Sequence, residues 1–137
     1  MENKNWIGCK KLTEREFEEV EEHIKTKLPK DYRKQILKIN NGALPMAYYL
    51  MPDIGEISYS RNINLSMSAT NNAVELYEML DGGSRRYFPF GSVGNGDYVC
   101  FDLKKNNEVV LYVHETQKVY YLCDTFNQFV DKLMEDS

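Results

Sequence analysis

The sequence predicts an α+β fold: a mainly antiparallel sheet with an N-terminal helical pair, one middle helix and a C-terminal helix. Three observations carry this. Two segments with helical apolar spacing open the chain, segments of period-2 alternation joined at hairpin length fill its second half, and an amphipathic segment closes it. Helices gathered at the ends of a run of strands argue against an alternating parallel sheet. The 137 residues hold no internal repeat and no low-complexity linker, so residues 1–137 are expected to form one domain with its own core.

The first helix is announced by Leu12-Thr13-Glu14-Arg15-Glu16-Phe17. Thr13 is placed to cap the N3 amide, Glu16 to reach back as the other half of a capping box, and Leu12 with Phe17 to form a hydrophobic staple. Phe17, Val20, Ile24 and Leu28 then mark one apolar stripe, while Glu14, Glu18, Glu21, Glu22 and Lys25 occupy other faces. Pro29 pushes Leu28 out of the helical region and itself suits a first helical turn, so a second helix restarts there. Tyr32, Ile36, Leu37 and Ile39 supply its buried side, and Asn40-Asn41-Gly42 ends it with residues that tolerate a left-handed conformation.

The middle of the chain reads as extended. Short strands are expected at Tyr48–Met51 and Glu56–Tyr59 around a Pro52-Asp53-Ile54-Gly55 turn, followed by a polar loop from Arg61 to Thr70. A helix is expected over Asn72–Leu80, with Asp81-Gly82-Gly83 closing it. Strands near Tyr98–Leu103, Glu108–His114 and Lys118–Leu122 have joints of hairpin length and predict an antiparallel meander. Asp124 can cap a last helix, in which Phe126, Phe129, Val130 and Leu133 share one face.

The stretch Phe88 to Asp102, FPFGSVGNGDYVCFD, places three glycines within six residues. A phosphate cradle needs such a loop to open a helix, whereas the residues that follow alternate as a strand. The spacing Gly91, Gly94, Gly96 also lacks the Lys-Ser/Thr pair of a P-loop. The segment is therefore read as a turn feeding a strand, with Asn95-Gly96 as the dipeptide of a type I′ hairpin.

Composition narrows the function. Hydrophobic residues at 42% and charged ones at 28% describe an ordinary globular chain, and no apolar run approaches bilayer length, so no membrane partner is expected. A net charge of −4 argues against nucleic acid as partner, since that would require a basic face, and favours a basic protein. Three cysteines without C-x-x-C spacing, and an N-terminus without a signal-like apolar segment, predict free thiols and a cytoplasmic location.

Few residues invite chemistry. His114-Glu115 lacks the further ligands of a metal site, for the only other histidine is His23 in a charged helix, so neither metal nor cofactor is expected. Cys100 lies inside an alternating strand with no base specified by the sequence, and reads as a small buried side chain. Asp97 and Asp102, five apart, could line one end of a sheet, although Asp97 after Gly96 is more simply an acceptor for loop amides. Ten tyrosines are the unusual feature. Tyr48, Tyr49, Tyr59, Tyr87, Tyr98, Tyr112, Tyr120 and Tyr121 fall in or beside predicted strands, either by packing preference or as a face of rigid rings for binding protein.

The ordered set Leu28-Pro29-x-Asp31-Tyr32, Asn41-Gly42, Phe88-Pro89-Phe90-Gly91, Gly96-Asp97-x-x-Cys100-x-Asp102, His114-Glu115 and Phe126-x-x-Phe129 resembles the SUKH superfamily. That family holds fungal killer-toxin-resistance and cell-wall-assembly regulators and many bacterial immunity proteins. Asn41-Gly42-Ala43 and Ser92-Val93-Gly94-Asn95 depart from its usual glycine-richer loops. The resemblance implies a non-enzymatic immunity protein that neutralises a cognate nuclease or deaminase toxin by covering its active site. The alternative it admits is a non-enzymatic regulatory or scaffold module of the cell-wall-regulator type. The expected binding surface is the sheet end and turns around Asp53, Glu56, Asp97, Tyr98, Asp102 and Glu115.

Overall fold

Helix α1 (Glu14–Ile24) starts where its capping sequence places it. Thr13 Oγ1 accepts from the Glu16 amide at 3.1 Å, and the Glu16 carboxylate accepts from the Thr13 amide at 3.0 Å. The structure, a computed structural model, describes residues 4–52 and 54–135. Buried Glu21 accepts from the Leu28 amide at 2.8 Å, which turns the chain from α1 into α2 (Lys30–Ile39). Pro29 stands just ahead of α2, and Asn41 takes the left-handed φ of 65° just after it. Asp31 reaches across the molecule to accept from the Asn127 amide at 2.9 Å, which ties α2 to the first turn of α4 (Phe126–Lys132).

The strands β1 (Ala43–Met51), β2 (Gly55–Asn62), β3 (Tyr87–Val93), β4 (Tyr98–Asp102), β5 (Glu108–Val113), β6 (Lys118–Cys123) and β7 (Met134–Glu135) form one sheet. Its order is β6-β5-β4-β3-β2-β1-β7, with every described pairing antiparallel. The α+β prediction holds, with helices before, between and after the strands. Helix α3 (Ala73–Met79) carries a second closed capping box between Asn72 and Glu75.

Several local expectations are corrected. The Phe88–Gly96 segment is not loop up to its turn: β3 occupies most of it. Pro89 and Gly91 both weaken a regular strand, but the β3–β4 register shifts between them, and a bulge is where a sheet tolerates proline. The turn that follows is closed by Gly96 at φ 86° alone, with Asn95 outside the left-handed region, so it is not type I′. Arg61 and Asn62 belong to β2 rather than to a loop, because the buried Asn62 amide group donates to the Ile39 carbonyl at 3.0 Å. Thr125, not Asp124, caps α4, its side chain accepting from the Gln128 amide. The short β7 strand carries no sequence signal of its own.

The rest of the expected polar loop, residues 63–70, is held by asparagines. Asn40 Oδ1 accepts from the Leu65 amide at 2.8 Å while its amide group donates to Asn64 Oδ1 at 2.9 Å. Buried polar groups with complete partners fix a loop as firmly as apolar contacts do.

The helices α1, α2 and α4 cover one face of the sheet, around a cluster of aromatic rings. Tyr32 sits at its centre, with the Phe101 and Phe126 centroids 5.1 and 5.2 Å away and those of Phe90 and Phe17 at 6.0 and 6.2 Å. Its hydroxyl is buried without a partner. A hydroxyl so placed costs about 1–3 kcal/mol of desolvation. Tyr32→Phe is therefore expected to raise stability by about 1 kcal/mol in urea unfolding, and a loss of that size would instead reveal a hydrogen bond at that atom.

Of the described glycines, Gly91 has the least room for a side chain. A Cβ added there would overlap the Tyr59 ring, which is buried and donates its hydroxyl to Asn62 Oδ1 at 2.7 Å. The ring is thus pinned at both ends, and the added methyl must distort the sheet. Gly91→Ala is expected to destabilise by about 2 kcal/mol in the same assay, and an unchanged midpoint would mean that Tyr59 swings aside.

Candidate functional site

The pleat divides the tyrosines between the two faces of the sheet. Tyr49, Tyr59 and Tyr120 point inward with the core, whereas Tyr48, Tyr87, Tyr98, Tyr112 and Tyr121 point outward. Burial lifts the Tyr49 hydroxyl to about 12 and that of Tyr59 well above the usual phenol range. Both are structural.

The outward face is covered unevenly. Leu80, in the turn after α3, packs on Tyr87, Cys100, Val110 and Tyr112, and the Asp81 amide donates to the Tyr112 hydroxyl at 3.1 Å. This lid closes one part of β3, β4 and β5. The outward face of β1 and β2 carries no such cover. There Leu50 stands opposite Glu56, and Tyr48 opposite Ser58. On the other side of β1, Met134 pairs with Tyr48 in the β7 strand.

An apolar strip follows from this arrangement. Met46 is 70% exposed, Leu50 52%, Ile54 54% and Met134 45%, with the half-buried Tyr48 among them. Met46 is turned out by a bulge in β1, at which it adopts φ 61°. A shallow depression of about 400 Å³, lined by Pro45, Met46, Tyr48, Glu56, Ser58 and Arg61, lies alongside. Contiguous apolar surface of this kind on a folded chain marks an interaction site more often than chance exposure does.

The predicted site residues distribute as follows. Asp53 lies outside the described residues. Glu56, Asp97, Tyr98 and Glu115 all come to one end of the sheet, at the β1–β2, β3–β4 and β5–β6 turns. Glu56 and Glu115 are exposed and Tyr98 half-buried beside Ser92 and Tyr112. Asp97 is buried and engaged: its Oδ1 accepts from the His114 amide at 3.1 Å and lies 2.7 Å from His114 Nδ1. That contact fastens the β3–β4 turn to the β5–β6 turn.

Asp102 does not join them. It ends β4, about 17 Å along the strand from Asp97 at the rise of an antiparallel strand, and it is buried beneath Arg86. The guanidinium donates to both carboxylate oxygens, Nε at 2.9 Å and Nη2 at 3.0 Å, and the Lys104 amide donates to Oδ1. A bidentate, buried carboxylate of this kind is committed to structure. The expectation that Asp97 and Asp102 line one end of the sheet is thus overturned by the length of the strand between them.

The other chemical candidates are also accounted for. Burial, with the Asp102 charge nearby, pushes the Cys100 thiol well above its ordinary range, which removes the thiolate a nucleophile needs. His23 Nε2 meets Glu78 at 3.2 Å and links α1 to α3. Met46, Leu50, Ile54 and Met134 were not anticipated as site residues. The signal for one of them, Leu50, was present in the unbroken apolar run from Ala47 to Met51: a strand apolar at both parities has an apolar outer face unless something covers it.

Among known families, the SMI1 / KNR4 family (SUKH-1) matches residues 11–132, from the residues that cap α1 to the end of α4. The two-residue β7 lies beyond the matched stretch. No curated protein and no solved structure matches the chain.

Proposed function

The chain belongs to the SMI1 / KNR4 family (SUKH-1), and on that premise we propose that it is an immunity protein, which binds and neutralises a cognate bacterial nuclease or deaminase toxin. It acts without catalysis, by lying over the toxin's active site, and does so in the cytoplasm. The observation that carries this reading is the uncovered outward face of β1 and β2, with its apolar strip of Met46, Tyr48, Leu50, Ile54 and Met134. Interfaces are built this way, from a few large side chains that are desolvated at the centre with polar groups around them.

The rim supplies the charge. Glu56 borders the strip directly, Glu115 stands at the same end of the sheet, and the whole chain carries a net charge of −4. A basic substrate cleft would be drawn to that end, with the apolar strip supplying affinity after encounter. No helix among the described residues is long and apolar enough to cross a membrane.

The test is capture from the source cells with a tagged protein, followed by an activity assay on the bound partner. One near-stoichiometric partner whose toxic activity is abolished in the complex is the expected result. Several sub-stoichiometric partners without toxic activity would replace this reading with a regulatory module of the cell-wall-regulator type.

A further inference from the structure

Every arginine of the chain but one is paired. Arg15 meets Glu19 and Glu22, Arg33 meets Glu14 and Glu18, Arg85 meets Glu78, and Arg86 holds Asp102. Among the described residues no carboxylate lies within ion-pair distance of Arg61, which stands exposed near the end of β2. Its surroundings are nevertheless shaped. Arg61 lines a depression of about 500 Å³ on the outward face, between the part of the sheet closed by Leu80 and the bare strip of β1 and β2.

The pairing register explains the shape. Arg61 on β2, Ser92 on β3 and Tyr98 on β4 are successive partners in one row across the sheet. Directly paired residues share a face, so the short Ser92 side chain lies between two long ones that are two strand spacings apart, about 10 Å. The result is a slot, with Ser92 as its floor, Arg61 as one wall and Tyr98 as the other. Tyr98 packs against both the main core and the cluster of Tyr87, Cys100, Val110 and Tyr112, which holds its ring in place. Ile63 and Leu76 add apolar wall, and Thr70 and Asn71 a polar rim. The lining carries one cation and no acid.

We propose that this slot binds a small free monocarboxylic acid with an aromatic or other apolar body, its carboxylate on the Arg61 guanidinium and its body against Tyr98, Ile63 and Leu76. The charge of the lining selects a monoanion, since a phosphate dianion would leave one of its charges unmet. A guanidinium is planar, always charged and matched to a carboxylate by two parallel hydrogen bonds. The volume is that of a small-molecule site, and such sites join apolar walls to a few polar groups. Arg61 is the one residue that the slot shares with the depression beside Met46. Binding of the acid and capture of a protein on β1 and β2 are therefore separate properties.

Nuclear magnetic resonance titration of the full chain tests this, with benzoate as the probe and benzamide as its uncharged counterpart. Inorganic phosphate and a peptide ending in a free phenylalanine carboxylate serve as rivals. Benzoate is expected to shift the Arg61, Ser92 and Tyr98 amides and to saturate in the millimolar range, with benzamide about tenfold weaker. Arg61→Gln should bring benzoate down to the benzamide level. Ser92→Phe, which fills the floor and leaves Arg61 in place, should abolish binding of both, and circular dichroism checks that each variant keeps the fold. No shift at these amides, equal binding of benzoate and benzamide, or benzoate binding untouched by Arg61→Gln would overturn the proposal. Tighter binding of phosphate would overturn it in favour of a phosphoryl group, and tighter binding of the peptide in favour of a protein terminus.

Discussion

Phe90→Ala is expected to destabilise the protein by about 4 kcal/mol, the upper range for removing a buried aromatic ring. Phe90 is fully buried on β3, with the Phe101 centroid at 4.5 Å, Phe126 at 5.2 Å, Phe129 at 5.5 Å and Tyr32 at 6.0 Å. Those neighbours come from β4, α4 and α2, so the ring joins the central strand to two helices at once. The cost depends on how far the surroundings can close over the gap. Here they are rigid rings held by different elements, and Asp31 already fixes the spacing of α2 from α4 through the Asn127 amide. Urea unfolding reads the effect directly. A loss below about 2 kcal/mol would mean that the rings collapse into the space and that the cluster is softer than its geometry indicates.

If the chain acts as proposed, Leu50→Asp should lower affinity for the captured partner by about a thousandfold, equivalent to about 4 kcal/mol, while leaving the unfolding midpoint nearly unchanged. Leu50 points away from the core, opposite Glu56, so the fold does not need it. A carboxylate placed there sits in the apolar strip and beside an existing negative charge. Against an apolar partner surface it would be buried without a counterion, which is among the costliest changes an interface can suffer. Titration calorimetry with the purified partner measures the change. Unaltered affinity would move the docking surface off the β1–β2 face and back toward the turns of Asp97 and Glu115.

How much of this was legible in the sequence depended on whether local chemistry settled the outcome. Thr13 and Glu16 specify a helix start by themselves, because the capping box closes within four residues, and the structure places it there. The meander of β4, β5 and β6 was likewise readable from alternation and short joints. β3 was not, because Pro89 and Gly91 both weaken a regular strand. Only the bulge at Pro89 and the Tyr59 ring over Gly91, contributed by a strand some thirty positions away, make them fit. The candidate site shows the same division. Glu56, Tyr98, Asp97 and Glu115 converge as the turn pattern implied. Asp102 parts from them because a five-residue strand intervenes, and its carboxylate is spent on Arg86. Met134 was out of reach: its place beside Tyr48 depends on β7 returning to β1 across the whole chain.

The most direct test of the proposed function is the activity of the captured toxin, measured as this protein is added back in rising molar ratio. The account predicts that activity falls to the background at one equivalent of the wild-type chain, and that the Leu50→Asp variant, folded but unable to dock, leaves it intact at the same ratio. Full toxin activity in the presence of excess wild-type protein would contradict neutralisation by occlusion.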